Sequence, residues 1–184
     1  MRIVGGRFRG RVLQGPSSNA TRPTSDRLRE ALFNVLAHAY DDAADGARVL
    51  DLFAGTGALG LEALSRGAKF AVFVDEAPEP RGLIRANVET LGLGGITRIF
   101  RRDATKLGEA FASDAFDLVF CDPPYGRGLA EQALISARDG KWLAPGALVV
   151  VEEAVEPGFT APDGFEELER RRYDTTEIVI LRAP

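Results

Sequence analysis

Four consecutive residues, Asp122-Pro123-Pro124-Tyr125, combine features suited to one kind of chemistry. The two prolines remove backbone donors and fix the turn, leaving carbonyl oxygens free to accept. An exocyclic nucleobase amine is a poor nucleophile because its lone pair is delocalised into the ring. Acceptors on its two hydrogens, here the Asp122 carboxylate and the Pro123 carbonyl, would draw the nitrogen toward tetrahedral geometry. They would also stabilise the positive charge that grows on nitrogen as an alkyl group arrives. Pro124 stiffens the turn, and Tyr125 offers a face on which an extruded base stacks, worth ~1–3 kcal/mol. A bare tetrapeptide of this kind is ordinarily a stiff loop. Here it ends the apolar run Phe116–Cys121, about 65 residues after a glycine-rich turn.

That turn, Asp51-Leu52-Phe53-Ala54-Gly55-Thr56-Gly57-Ala58-Leu59-Gly60, contains G-x-G-x-x-G and follows an apolar run. Its glycines let the backbone approach a nucleotide at a helix N-terminus. Asp51 selects the nucleotide. A dinucleotide would set a pyrophosphate over this turn, and a carboxylate aimed at it would be repelled. S-adenosylmethionine carries an ammonium and a sulfonium instead, and a carboxylate stabilises both. The D-x-F-x-G-x-G pattern, with Phe53 and Ala54 between the acid and Gly55, therefore favours that cofactor. The competing part for Asp51 is a turn cap, disfavoured by its place inside an apolar strand. Asp75, about 20 residues beyond the glycines and followed by Glu76, is positioned for ribose hydroxyls. Asp103, followed by Ala104, ends the next run and is the candidate acceptor for the adenine amine.

These positions need a scaffold that collects strand ends. Apolar runs at 48–53, 70–75, 98–102, 116–121 and 147–152 alternate with helical segments at 58–66, 78–91, 105–111 and 128–138. Such alternation predicts a doubly wound, mostly parallel α/β sheet, with ligands at the carboxyl ends of its strands. The tail breaks it. Runs 165–173 and 176–181 are almost contiguous and predict an antiparallel hairpin, bringing the strands to seven. Upstream, Thr24 or Ser25 caps a helix whose apolar residues Leu28, Ala31, Leu32, Val35, Leu36 and Ala39 share one face. Residues 1–23 form a small hairpin and linker, and 24–184 the main domain.

The 184 residues carry a net charge of -4, unevenly distributed. Within residues 1–30, seven arginines face only Asp26 and Glu30, a local charge of +5 that leaves -9 for the rest. From charge alone, an acidic body with a basic arm fits a polyanionic partner met at one edge and an ordinary solvated surface equally well. The single cysteine, Cys121, excludes an internal disulfide or a cysteine-based zinc cluster, and no metal is expected. Neither a membrane-spanning run nor a secretory start is evident, so a cytoplasmic setting is expected.

The segments GGRFRGR (5–11), RPTSDRLREALFN (22–34), FAGTGALGLEALSRGA (53–68) and DPPY (122–125) resemble the RsmD family. These are bacterial enzymes that methylate the N2 amine of one guanine in small-subunit (16S) ribosomal RNA. The resemblance runs from about residue 2 to 153, and its first two segments are the specific ones. It implies a class I methyltransferase sheet preceded by a hairpin that helps hold RNA. By position, Asp51, Gly55 and Gly57 would surround the methionine moiety, Asp75 the ribose and Asp103 the adenine, with Asp122 to Tyr125 on the guanine. The family often has Glu where Asp75 stands and a second acid two residues on, where this chain has Ala77; Glu76 is the candidate to compensate. Arg2, Arg7, Arg9 and Arg11 would contact phosphates, Phe8 would stack, and Arg22 and Arg27 would lie where the arm meets the site. The substrate would be an assembling small subunit, since phosphate contacts carry little sequence information. Three competitors stand beside this reading. A DNA adenine-N6 methyltransferase would need a target-recognition region for which there is no room. A nicotinamide-dependent oxidoreductase would leave Asp51 and the proline turn idle. A non-catalytic RNA-binding protein would retain the fold alone.

Overall fold

The computed structural model describes residues 1–16, 24–111 and 115–184, so Arg22 lies outside the described residues. Seven strands form one sheet: β1 (Arg48–Leu52), β2 (Phe70–Val74), β3 (Thr97–Phe100), β4 (Phe116–Cys121), β5 (Leu143–Ala154), β6 (Glu166–Tyr173) and β7 (Thr176–Arg182). Their order is β3-β2-β1-β4-β5-β7-β6. The first five are parallel, and β7 enters antiparallel between β5 and β6. This is the expected mostly parallel sheet with an antiparallel tail.

Side chains alternate across the sheet, and both faces are covered. Val49, Phe73, Leu118 and Phe120 point to one face, where α1 (Asp26–Ala39), α2 (Ala58–Ser65) and α3 (Pro78–Leu91) bury Phe33, Leu61 and Ile84. Leu50, Leu52, Val72 and Val119 point to the other, against α4 (Leu129–Asp139) with Ala133 and Leu134. Ser25, rather than Thr24, caps α1, accepting from the Leu28 amide at 3.1 Å. One expected helix is missing. Segment 105–111 makes only a short 3-10 turn, Ala104–Lys106. Asp103 caps that turn, Gly108 then turns left-handed at φ 75°, and the Gly108 carbonyl is taken by Trp142 Nε1 at 2.8 Å. Those bonds hold the chain against α4 and compete with helix continuation.

The N-terminal hairpin is held by bonds between Ile3 and both Arg11 and Gly10, and it pairs as a single bridge, Arg2 with Val12. It is seated on the body. Ile3 and Leu13 are buried, and the Val4 and Gly5 amides donate to the Glu62 carboxylate at 3.0 and 2.9 Å. Glu62, wholly buried on α2, also takes Arg29 Nε at 3.1 Å and Arg66 Nε at 2.9 Å. Arg29, equally buried, spends its remaining donors on the carbonyls of Thr24 and Arg2 and on Asp26. Satisfying both ions this fully offsets the cost of taking them out of water. The cluster ties hairpin, α1 and α2 into one unit. Among the described residues, no helix is long and apolar enough to cross a membrane.

Candidate active site

Parallel strands end at one edge, and backbone bonds hold those ends in register: Ala54 N to Val74 O at 3.1 Å, Asp75 N to Phe100 O at 3.2 Å, and Asp122 N to Leu52 O at 3.4 Å. The glycine turn leaves β1 there. Phe53 adopts a left-handed φ of 56°, a strained choice for an aromatic residue, and Gly57 caps α2 at φ 80°. Gly60 is required for a different reason. A Cβ there would come 2.5 Å from the Phe73 ring and 3.1 Å from Asp51 Oδ2. Without one, the Gly60 amide donates to that same carboxylate oxygen at 3.0 Å.

Asp51 thus does what the sequence reading ranked second: it caps the turn from behind. It is almost fully buried, and its carboxyl is pushed up to about 8, chiefly by desolvation, against the lowering effect of the Gly60 bond and with Asp75 adding to the rise. Asp75 braces the turn from the front, accepting from Gly55 N at 3.0 Å and from Ala77 N at 3.1 Å. A cavity of about 350 Å3 opens beside it, lined by Phe53, Asp75, Glu76, Asp103, Ala104 and Pro124 among others. That size suits a nucleoside-sized ligand. Asp103 is held below the ordinary carboxylate range by the Thr105 hydroxyl and amide, at 2.7 and 2.9 Å, so it stands ionised as an acceptor. Arg102, Thr105 and Arg127 also line this cavity and were missed by sequence reasoning, having no motif of their own.

A second cavity, of about 460 Å3, is lined by Thr24, Arg27, Leu28, Glu152, Tyr173 and Thr176 among others. Asp122 is bonded to the wall of this second cavity through Thr24. Its Oδ2 accepts from Thr24 Oγ1 at 3.1 Å, and the same hydroxyl lies 2.9 Å from Glu152 Oε2. Glu152 Oε1 accepts from the Tyr125 hydroxyl at 2.7 Å. Burial, then the neighbouring Glu152, raise the Asp122 carboxyl well above its ordinary range; the Thr24 bond opposes them. Pro123 is buried and Pro124 exposed. Thr24 and Glu152 are functional candidates that sequence reasoning did not find. Glu152 had left a signal as the acid that ends an apolar run.

The arginine candidates fall in two places. Arg27 lines the second cavity. Arg7 and Phe8 sit at the other end of α2, where their amides donate to Ser65 O at 2.9 Å and Ser65 Oγ at 3.0 Å. Met1 Sδ, at the open end of the hairpin, is 3.6 Å from Thr56 in the glycine turn. The hairpin therefore runs along α2 with its tip about 12 Å from the turn, at 1.5 Å per helical residue. Phe8 is partly buried against the core, with the Arg7 guanidinium 4.5 Å from its ring centroid, so one ring face is already covered. Arg2 and Arg11 are exposed, yet each spends a donor on a backbone carbonyl, of Gly10 at 2.9 Å and Thr90 at 3.0 Å. Arg9 is exposed at the tip.

Comparison with known proteins bears on this arrangement. A family model described as conserved hypothetical protein 95 matches residues 1–182. The ribosomal RNA small subunit methyltransferase D of Escherichia coli K12 is 41% identical over 172 residues, covering 94% of this chain and 84% of that protein. The enzyme of the same name from Haemophilus influenzae is 35% identical, covering 99% and 92%. Among solved structures, a hypothetical protein of Thermus thermophilus superposes with a TM-score of 0.74 at 33% identity, covering 98% of each chain. The fold is that of class I methyltransferases. A sheet that gathers acids at its strand ends, with a double-proline turn beside them, thus has relatives along its whole length, and the chain belongs to the conserved hypothetical protein 95 family, the RsmD family.

Proposed function

We propose that this chain transfers a methyl group from S-adenosylmethionine to the exocyclic N2 amine of a guanine in small-subunit ribosomal RNA. One observation carries the reading: the proline turn links two cavities, since Pro124 lines the nucleoside-sized one with Asp75 and Asp103, and Asp122 bonds Thr24, which lines the second with Glu152 and Arg27. The donor chemistry fits the first cavity, where one acid braces the glycine turn and another is ionised and open to an amine. When bound, S-adenosylmethionine supplies an activated methyl group on a sulfonium. Asp75, with Glu76 beside it, would take the ribose hydroxyls, and Asp103 and Ala104 the adenine. Phe53, Ala54, Gly55 and Gly57 would shape the floor under the methionine moiety. Asp51 acts from behind that floor as a positioning residue.

From the second cavity the guanine amine would reach Asp122 and the Pro123 carbonyl. Asp122 accepts in its ionised form, so its raised pKa makes ionisation part of the catalytic requirement. Tyr125, held by Glu152, is fixed as a stacking surface before a base arrives, which lowers the entropic cost of binding. Arg27 would meet phosphate beside the target. Arg7 and Arg9, a helix length away, suit RNA flanking the target nucleotide, with residues 1–23 as the RNA-holding arm of a ribosomal assembly substrate and a cytoplasmic setting. Replacing Asp122 by Ala should lower methyl transfer roughly 10²–10³-fold or more while donor affinity, read by calorimetry, stays within a few-fold. Near-normal turnover in that variant would remove Asp122 from the mechanism. Mass mapping of ribosomal RNA from cells with and without the protein tests the substrate.

A further inference from the structure

The second cavity holds a carboxylate that amine activation does not use. Glu152 is 7% exposed, lines that cavity, and shares the Thr24 hydroxyl with Asp122. A hydroxyl has one hydrogen, so it donates to only one of the two carboxylates. Asp122, which burial and the neighbouring Glu152 raise well above the ordinary carboxylate range, holds a proton when the site is free of substrate, and the Thr24 hydroxyl bridges it to Glu152. Two carboxylates so placed complement a nucleobase edge with two neighbouring N–H donors. Guanine has that edge, in N1–H beside the N2 amine, whereas adenine and 2-aminopurine set an acceptor N1 beside their amine.

We propose that Glu152 reads the N1–H of the target guanine while Asp122 takes the N2 amine, so that this pair selects guanine among amine-bearing purines. The inference rests on the reading of the site as a guanine-N2 methyltransferase. Binding of the two-donor edge requires Asp122 ionised, so its proton leaves as guanine enters. A base with an acceptor N1 instead fits the singly protonated pair. Selectivity for guanine therefore rises with pH. The groups facing the pair are Thr24 and Arg27 from the α1 segment, Tyr125 from the proline turn, Tyr173, Asp174 and Thr176 from the tail hairpin, and Asp51 from β1. Of these, Tyr125 is held well above neutrality by burial, and arginine stays charged throughout, so neither titrates near neutral pH.

The test uses reconstituted small-subunit particles in which the guanine methylated by the wild-type protein is replaced by 2-aminopurine, which keeps the amine and loses N1–H. Wild type should prefer guanine in kcat/KM by roughly 10- to 100-fold, and the preference should grow between about pH 5.5 and 8.5. In Glu152→Gln, whose amide can accept from or donate to N1, the preference should fall to within about threefold. Tyr125→Phe, which removes the other bond to Glu152 and keeps the ring, should leave the preference intact, separating base reading from support of the tyrosine. A pH-independent preference in the wild type overturns the proposal even if the Gln variant fails to fold. Undiminished selectivity in a folded Glu152→Gln overturns it too, and leaves the methyltransferase reading standing. No methylation of any guanine amine by the wild type would overturn both.

Discussion

Replacing Asp51 by Asn separates the two parts this residue could play. The carboxyl is buried, bonds the Gly60 amide, and is pushed up to about 8 from an ordinary 3.8. Because the folded pKa is raised, the folded protein binds more protons than the unfolded chain between those two values. Stability therefore falls as pH rises through that window, by about 1.4 kcal/mol per unit, and levels off above about pH 8. Summed over the window, the penalty is on the order of 5 kcal/mol. Asn keeps an oxygen for the Gly60 amide and does not titrate. The difference between variant and wild type in urea denaturation should be about 1 kcal/mol at about pH 4.5 and should favour the variant by several kcal/mol at about pH 8. If Asp51 braces the turn alone, donor affinity changes no more than about threefold. If it directly contacts a cationic donor, losing the charge costs about tenfold or more. Parallel stability curves at both pH values would refute the burial argument, and a large affinity loss would return Asp51 to the binding surface.

Glu62→Leu should destabilise the protein by about 3–5 kcal/mol in urea titrations, since Arg29 would be left buried without its carboxylate; a change within 1 kcal/mol would contradict the role given to the cluster. Replacing Arg7, Arg9 and Arg11 together by Ala should flatten the salt dependence of RNA binding, by about 0.7 in logarithmic slope for each phosphate no longer neutralised. Arg27→Ala should lower kcat/KM with at most one such decrement, because it lines the target cavity itself. For the wild type, kcat/KM should rise with pH along a limb above the ordinary carboxylate range, because Asp122 must lose its proton to accept from the amine. A flat profile from pH 5 to 8 would contradict that requirement.

Much of this was legible in sequence because the period of a buried strand and the punctuation of a helix are local. The limits of α3 and β4 are those the apolar spacing predicted, and the acids at 75, 103 and 122 follow their strands as expected. What escaped depends on contacts between distant segments. Glu62 carries no signal of its own, and it is buried where the hairpin and Arg29 of α1 fold over it. Thr24 looked like a cap, but it lies beside Asp122, 98 positions later, and Glu152. The gap between the arginine tip and the site also depends on how the hairpin docks, which no spacing encodes. The Gly60 bond of Asp51 escaped for a related reason. A charge inside an apolar strand does not announce that Gly60 brings an amide within 3.0 Å of it.

The most direct test of the account is a crystal structure with S-adenosylmethionine bound. The account predicts its adenosine against Asp75 and Asp103 and its methyl group directed at the space in front of Asp122 and Pro123. A donor seated elsewhere, or a methyl group facing away from the proline turn, would contradict it.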